Sequence, residues 1–537
     1  MEQRLDLGYP LWLNTKAGRP ALKGRRVSLR HRGNGYDAAI LVPAAVGSFG
    51  VAAVATQAPL VGAGTAGLVI LTLMPWRVLL VLLTFASIAS RFRYNVGTVT
   101  LQTAHFVLVP FLIRAWLLTR EEPRPKFRWP EFALAVFVGV QVVSSYLYAL
   151  QTRKSLQVLG LLVLGIVTYF TVYSTAITRK RVIFAARVVL LAALVNSSTG
   201  LLALVAHKLT GSTFGLSISA NGTPVAGLAH EYNIAGSMAG SAAIVFFWLM
   251  IEPNPVFSRR VAAIGFWISL VSLVASLTRG AWLTFAIAMM AMLLLHRRPI
   301  AGRNRVGSMG ALLIVLGIGA LGIFAYATAT SGTAPPNAIV AKGAQLVNSS
   351  AGSGQARVSE WKLALEDLPK SPIIGLGTNS FGQRHIDPKR AATNPKGAFL
   401  GNLWMRSLYD GGIIGLLALL AFWGSIMWPK RAIRDSRGDL ASVAWPFTFM
   451  VVMMAGAYVF TDASLQIWPW IVLGVAAAVR RLAVEQYEEM TAAVDPGNGY
   501  GQLVADGPSM GVSPGSAGAV PEGQPTAVSG GERGPLR

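Results

Sequence analysis

Long apolar runs separated by short polar segments recur along almost the whole chain, and this pattern limits the fold more than any other feature. Of the 537 residues, 53% are hydrophobic and only 13% are charged, whereas soluble domains carry about 25% charged residues. Many of the runs approach the roughly 20 residues that a helix needs to cross a membrane. Strands of outer-membrane barrels alternate apolar and polar residues instead. The sequence therefore predicts an all-α integral membrane protein.

The apolar runs also set the number of expected helices. Two of the runs, 78–90 and 281–295, are shorter than a typical span, so we expect about 12–14 transmembrane helices. The predicted spans are 38–56, 59–74, 78–90, 98–118, 131–150, 155–176, 182–206, 232–251, 261–278, 281–295, 308–329, 402–428, 440–460 and 465–482.

Basic residues are distributed unevenly between these spans, and this predicts the orientation of the chain. Clusters such as Arg179-Lys180-Arg181 and Arg480-Arg481 fall in alternate connecting segments, while the short loops between them hold few Lys or Arg residues. Cytoplasmic loops of membrane proteins carry such an excess. The net charge of +24 therefore comes largely from residues that orient the chain in the lipid membrane, and we expect no nucleic-acid partner. We expect a multi-pass protein of the cytoplasmic (inner or plasma) membrane with both termini cytoplasmic.

Composition divides the chain into five predicted segments. The tail is rich in Gly, Pro, Ser and Ala, which favours disorder. The segments are a basic cytoplasmic N-terminal segment (1–36), transmembrane helices (37–329), one large, partly helical extracytoplasmic loop (330–401), further transmembrane helices (402–482) and a disordered cytoplasmic tail (483–537).

Several common chemistries lack the residues they need. The chain has no cysteine, which excludes disulfides, thiolate nucleophiles and Cys-ligated metals. It has no Walker A sequence, and His230-Glu231 lacks the second His of a zincin helix. The Gly-rich stretch 317–322 lies inside an apolar run, which favours helix packing over dinucleotide binding. We therefore expect no cofactor and no metal.

The large loop carries an unusual set of residues. Val358, Trp361, Leu365 and Leu368 recur at helical spacing before Pro369, which predicts an amphipathic helix on the membrane face. Arg357 lies at the start of this helix, on a different face from Trp361. Basic residues outnumber acidic ones in the loop. The excess suggests an anionic ligand, such as a phosphate group, at the outer face.

A second arginine points to the same kind of ligand. Arg279 lies between two predicted spans, at the outer edge of the membrane. An arginine beside hydrocarbon is costly unless it reaches the interface or meets an anion. The alternatives are a snorkelling or packing role for Arg279 and a solvated helix position for Arg357.

Four segments of the chain carry a resemblance to a known family. They are 230–235, 276–282, the Arg357-x-x-x-Trp361 helix with 372–377, and 402–415. Their order around one large outer loop resembles the O-antigen ligase and polymerase family, over roughly residues 225–425. Members of that family transfer a glycan from a polyprenyl-diphosphate carrier to a glycan or lipid acceptor outside the cytoplasmic membrane, without metal or nucleotide.

The resemblance implies a function and a set of site residues. The expected function is metal-independent glycosyl transfer, as ligase or polymerase, in polysaccharide biosynthesis for the cell envelope, with inversion at the anomeric carbon. Arg279 and Arg357 would hold the diphosphate and stabilise charge on the leaving oxygen. The residues expected to contact substrate are Glu231, Asn233, Trp361, Gly375, Gly377, Asn402 and Arg406.

One position departs from the family. Members usually carry a His just before the Asn that opens the span after the large loop, and Gly401 occupies this place. His385, on the same loop, is the predicted substitute for this catalytic base. The carboxylates of Glu360, Glu366, Asp367, Asp387 and Asp410 are further candidates, although surface or capping roles are their commoner use.

Two other functions stay open at the level of sequence. A transporter or flippase of lipid-linked glycans would also have many spans, but it predicts ionisable residues central in the spans, and Arg114 and Arg406 both lie near span ends. Gly401 also fits a non-catalytic assembly component that kept the fold.

The predicted orientation can be tested because the chain has no cysteine of its own. Single cysteines at Ser350 and Ser436 should differ in their reaction with a membrane-impermeant thiol reagent applied to intact cells. Only Ser350→Cys is expected to be labelled, and both variants should be labelled after permeabilisation. Labelling of Ser436→Cys alone in intact cells would reverse the orientation.

Overall fold

The computed structural model describes residues 71–96, 99–120, 122, 128–212, 217–218, 225–229, 231–295, 353–385, 400–428, 430–435 and 438–494. Contacts divide the chain into a first unit, Met1–Tyr487, and a second, Glu488–Arg537. All contacts given below lie within the first unit.

Helices dominate the described residues. They are α1 (Trp76–Ile88), α2 (Thr103–Thr119), α3 (Trp129–Tyr148), α4 (Thr152–Thr175), α5 (Arg179–Thr210), α6 (Tyr232–Ile251), α7 (Arg259–Ala275), α8 (Arg279–Leu295), α9 (Ser353–Asp367), α10 (Ser380–Arg384), α11 (Leu403–Met427), α12 (Arg431–Asp435), α13 (Asp439–Ala457) and α14 (Ile467–Val494). Two antiparallel hairpins join β1 (Arg93–Val96) to β2 (Val99–Gln102) and β3 (Ser217–Ile218) to β4 (Val225–Gly227).

The predicted all-α membrane fold is confirmed. Seven of the described helices are long and apolar enough to cross a membrane, and α1, α2 and α8 are shorter apolar helices. The predicted spans 38–56 and 308–329, and nearly all of 59–74, lie outside the described residues. The predicted loop helix is present as α9, and a 3-10 turn at Leu368–Lys370 containing Pro369 follows it.

Two predicted boundaries were wrong. The predicted span at 98–118 begins in a strand, because Val99–Gln102 pairs with Arg93–Val96 before α2 starts. The predicted disordered tail from 483 begins as helix, since α14 continues to Val494. Ala483 is fully buried, and Leu482 and Val484 pack against the core, so this part of the chain gains from staying helical.

Buried helices with small residues form the centre of the bundle. Of the most apolar stretch of α6, 94% is buried. A side chain on Gly240 would collide with Met453 of α13, and one on Gly265 with Phe246. Close packing through small residues is how helices associate in membranes.

Contacts between the ends of the described helices sort these ends into two groups. We call the end where α6, α8 and α11 begin and α3 ends the loop end, because residues 353–385 lie there. The opposite end is the basic end. Basic side chains concentrate at the basic end, including Arg179, Lys180, Arg181, Arg187, Arg259, Arg260, Arg480 and Arg481.

Several of these arginines also hold helix ends together. Arg480 Nη1 donates to the carbonyl of Ile426 at 3.0 Å, and Arg481 Nη2 donates to the carbonyl of Ala176 at 3.3 Å. Both carbonyls lie at C-terminal ends of helices, where the last backbone acceptors have no partner within the helix. Two neighbouring residues of α14 thus cap α11 and α4.

Removing the buried cap should lower the free energy of unfolding more than removing an exposed ion pair does. Arg480 is 8% exposed, so Arg480→Gln is expected to destabilise the protein by about 1–3 kcal/mol. Arg179→Gln removes a pair with Asp439 in which the arginine side chain is 57% exposed, and exposed pairs contribute about 0–1 kcal/mol. Thermal unfolding in detergent measures both variants, and an equal or larger loss for Arg179→Gln would contradict the capping role.

Candidate functional site

Helix α9 packs on α11 through a small apolar cluster. Ala364 is 2% exposed and lies in this cluster with Leu376, Phe381, Leu400 and Tyr409, against which Trp361 and Met405 pack. The predicted apolar face of α9 is only partly right, because Val358 and Leu365 are 39% and 49% exposed. The helix turns its Trp361 and Ala364 side towards α11 instead. Trp361, predicted to contact substrate, is therefore a packing residue in this structure.

Asp367 joins the end of α9 to two other elements. Its Oδ2 atom accepts from the Tyr409 hydroxyl at 2.8 Å and lies 2.7 Å from His385 Nε2, and its Oδ1 atom pairs with Lys370. Burial acts to raise the pKa of Asp367, but hydrogen bonds from Lys370, Tyr409 and His385 lower that pKa to about 2. Asp367 is therefore an ionised anchor and a weak base.

The segment 371–379 enters the bundle and meets a break in α11. Gly412 has φ 64°, which is not helical, and the backbone N–H groups of Leu376 and Gly377 donate to the carbonyls of Tyr409 and Asp410. A Cβ atom on Gly375, whose φ is 77°, would lie 2.4 Å from the Gly412 nitrogen. The backbones approach so closely that only glycine fits.

Polar side chains of α3 hold the same segment. Thr378 Oγ1 donates to Gln141 Oε1 at 2.8 Å, and the Thr378 backbone N–H donates to Ser145 Oγ at 2.9 Å. Gln141 lies seven residues before Tyr148, the last residue of α3, which is roughly 10 Å along the helix. A Cβ atom on Gly377, at φ 95°, would lie 2.8 Å from Ser145 Cα. The segment is thus re-entrant, with its polar groups satisfied inside the protein.

Asn402 and Arg406 make their described contacts within the protein as well. The Asn402 side chain caps α11 by accepting from the backbone N–H groups of Trp404 and Met405 at 2.9 and 3.0 Å. Arg406 is 7% exposed and pairs with Asp410 at 3.2 Å and Asp462 at 2.5 Å. A buried charge needs such partners. These contacts give both residues a structural role.

The start of α8 is a strained turn that carries Arg279. Leu277 has φ 50°, an uncommon conformation for a residue other than glycine, and it is buried. Thr278 Oγ1 donates to the Tyr232 carbonyl at 3.1 Å, and Trp282 Nε1 donates to the Leu273 carbonyl at 2.8 Å. The first bond holds the turn against the start of α6, and the second ties α8 to the end of α7. Arg279 follows at once, at the loop end and half-buried.

Near this turn, Arg279 lies within electrostatic range of side chains from two other segments. The guanidinium of Arg279 experiences the charge of Arg357 on α9 and also interacts with Tyr232 on α6. Beside Tyr232, Asn233 Nδ2 donates to Glu231 Oε1 at 2.6 Å. The structure therefore brings together Arg279 and Arg357, with Glu231 and Asn233 close by in the chain to Tyr232.

His385 lies away from this group. It contacts Asp367, and Asp367 follows Arg357 by ten residues on α9, which is roughly 15 Å along the helix axis. The space where a Gly401 side chain would begin is open within 4 Å. The sequence analysis placed Tyr232 in the resembling segment 230–235, at the first residue of a predicted span, but assigned it no role.

The arrangement suits an anion with several oxygens. Each guanidinium offers a fork of N–H donors that matches phosphate geometry, and two like charges held close together gain from an anion between them. Among the described residues, no group of three or more His, Asp or Glu side chains is placed to hold a metal ion.

Comparison with family models gives a match that covers much of this candidate site. Residues 264–420 match the family model described as O-Antigen ligase. The matched region includes most of α7, all of α8 and α9, the re-entrant segment and the break in α11, so it contains both arginines. No curated protein matches the chain.

The role of Asp367 as an ionised anchor predicts how stability depends on pH. Its pKa in the folded protein is about 2, below the usual value of 3.8 for an aspartate, so its contribution to stability is present above pH 3.8 and is lost as the pH falls through 2. Asp367→Asn should lower the unfolding temperature at neutral pH and should flatten the fall in stability between pH 4 and pH 2.

The neighbouring Glu366→Gln is the control, because Glu366 is exposed on the same helix. Thermal unfolding of the two purified variants across this pH range measures the effect. If both variants keep the pH dependence of the wild type, Asp367 does not anchor α9.

Proposed function

We propose that this chain, whose residues 264–420 form an O-antigen ligase-like domain, transfers a glycan from a polyprenyl-diphosphate carrier to a glycan or lipid acceptor at the outer face of the cytoplasmic membrane. The observation that carries the proposal is the meeting of Arg279 and Arg357, from separate segments, at the loop end. A diphosphate bound beside both guanidinium groups would gain from both charges.

The surface below Arg279 fits the lipid part of such a donor. Leu283, Ile287, Met290 and Leu294 follow Arg279 along α8 at helical spacing, and all are at least 45% exposed. They form an apolar stripe of about 20 Å headed by the guanidinium. A polyprenyl chain lying on this stripe in the membrane would bring its diphosphate to Arg279. The same stripe also faces ordinary lipid, so it supports the proposal only together with the arginine pair.

In the proposed reaction, the acceptor hydroxyl oxygen forms the new bond to the anomeric carbon. The bond from that carbon to the phosphate oxygen of the carrier breaks, and its electron pair stays on the phosphate oxygen. Arg279 and Arg357 would stabilise the negative charge that grows on the leaving diphosphate. The proton of the acceptor hydroxyl passes to a base.

Two residues compete for the role of base. His385 is oriented by Asp367, as the histidine of a catalytic triad is by its carboxylate, but its anchor is roughly 15 Å along α9 from Arg357. Glu360 lies only three residues from Arg357, about one helical turn away on the same helix. Asp410 is buried and paired with Arg406. Distance along α9 therefore favours Glu360 over His385.

Substitution of Arg357 separates charge from geometry. Arg357→Lys keeps the charge but loses the fork of donors that can hold two phosphate oxygens, and Arg357→Ala loses both. Transfer should fall strongly in the lysine variant and further in the alanine variant, by roughly a hundredfold or more. The measurement is glycan transfer from a purified polyprenyl-diphosphate donor at equal membrane abundance.

Lys362→Ala is the matched control, because it removes an exposed positive charge from the same helix. It should leave transfer within about twofold of the wild type, since exposed charges interact weakly over distance. Near-normal transfer by Arg357→Ala would show that the arginine pair does not take part in the reaction. That result would favour a transporter or a non-catalytic assembly component as the function of the chain.

A further inference from the structure

Tyr232 differs from the rest of α6 in its exposure. Of the 20 residues of this helix, 18 are buried, whereas the side chain of Tyr232 is 38% exposed at the loop end. It is the first residue of the helix, so its position along the bundle is that of the turn carrying Arg279. The phenol ring thus lies at the surface where the rest of the helix is closed to solvent and lipid.

The backbone of Tyr232 is held firmly beside that turn. Its carbonyl accepts from Thr278 Oγ1 at 3.1 Å. One turn further along α6, a side chain on Gly236 would lie 2.6 Å from Ser276 Oγ and 2.9 Å from Thr278 Cβ, so the two segments are in direct contact. The 2.6 Å hydrogen bond from Asn233 Nδ2 to Glu231 Oε1 braces the start of the helix.

The phenol of Tyr232 lies within electrostatic range of Arg279, and so does the guanidinium of Arg357. A phenol hydroxyl is a hydrogen-bond donor with an apolar ring behind it, and a phosphate oxygen is a strong acceptor. Tyr232 is also the first residue of a 20-residue helix, and the partial positive charge at a helix N-terminus favours an anion.

We infer that the Tyr232 hydroxyl donates a hydrogen bond to a phosphate oxygen of the lipid-linked donor, beside the guanidinium groups of Arg279 and Arg357. The inference rests on the proposed function, because it takes the diphosphate as the shared ligand. Three segments of the chain, α6, α8 and α9, would then each supply one donor to one anion. Tyr232 binds the donor in this arrangement and takes no part in the proton transfer of the reaction.

A tyrosine at a membrane surface has an ordinary explanation that the experiment must separate from this one. Tyrosines collect at membrane interfaces because the ring is apolar and the hydroxyl is wet. Tyr148, at the loop end of α3, is 39% exposed. Its backbone carbonyl accepts a hydrogen bond from the Arg384 side chain. Tyr148→Phe therefore makes the same chemical change at the same exposure and at the same end of the bundle.

The experiment measures binding of undecaprenyl diphosphate to the full chain in lipid nanodiscs, for the wild type, Tyr232→Phe, Tyr148→Phe and Arg279→Ala. A hydrogen bond to a charged group contributes enough that its loss should weaken binding about tenfold or more. We expect this loss for Tyr232→Phe, a larger loss for Arg279→Ala and no change for Tyr148→Phe. In the transfer assay, Tyr232→Phe should raise KM for the donor more than it lowers kcat.

The possible failures are distinguishable. If the wild type and Arg279→Ala show that the diphosphate binds through the arginine but Tyr232→Phe binds like the wild type, the inference is wrong and the proposed function stands. If Tyr148→Phe loses as much affinity for undecaprenyl diphosphate as Tyr232→Phe does, the effect is common to surface tyrosines and the inference is wrong. If the wild type does not bind undecaprenyl diphosphate, the proposed function and the inference both fall. Unfolding temperatures of the variants verify that each is folded.

Discussion

The contact between the re-entrant segment and the break in α11 is the constraint on which the rest of the loop end depends. Ile373 and Gly375 meet Gly412 so closely that a Cβ atom on either glycine would lie within 2.5 Å of backbone on the other side. Backbone hydrogen bonds cross this contact in both directions, from Leu376 to Tyr409 and from Ile413 to Pro372. Because Leu376, Tyr409 and Gly412 are buried, their backbone groups must find partners in the protein.

This contact sets the position of α9. The helix leads directly into the re-entrant segment, and Asp367 ties its last turn to Tyr409 on α11 and to His385. With one end fixed in this way, a rigid helix determines where its other end lies. The first turns of α9, which carry Arg357, are brought towards Arg279 at the strained turn before α8.

The charged residues of the loop end fall into two classes by their surroundings. Arg406 is buried, and Asp410 and Asp462 compensate its charge, so it stabilises the bundle and costs much if its partners are removed. Arg279 and Arg357 are partly exposed and lie near each other. Two guanidinium groups close together offer a diphosphate two sets of N–H donors. This contrast is why we place the ligand at Arg279 and Arg357.

Much of the fold was predictable from the chain alone. The apolar runs predicted most of the described membrane helices within a few residues, since a span must be apolar over its length whatever its neighbours are. Helical spacing predicted α9, and Pro369 marked the turn that follows it. The cost of an arginine beside hydrocarbon singled out Arg279, and its position between two spans required no tertiary information.

The roles of the other site residues depended on the tertiary structure. Gly375 and Gly377 are predicted from the sequence to contact substrate, and the structure shows that they approach Gly412 and Ser145, far away in the chain. Asn402 and Arg406 became a cap and an ion-paired residue, and Tyr232 joined the arginines. By itself the sequence determined which residues lie in the membrane, because hydropathy is a local property. Only the tertiary structure decided which polar groups meet, because their partners come from segments that the folded bundle alone brings together.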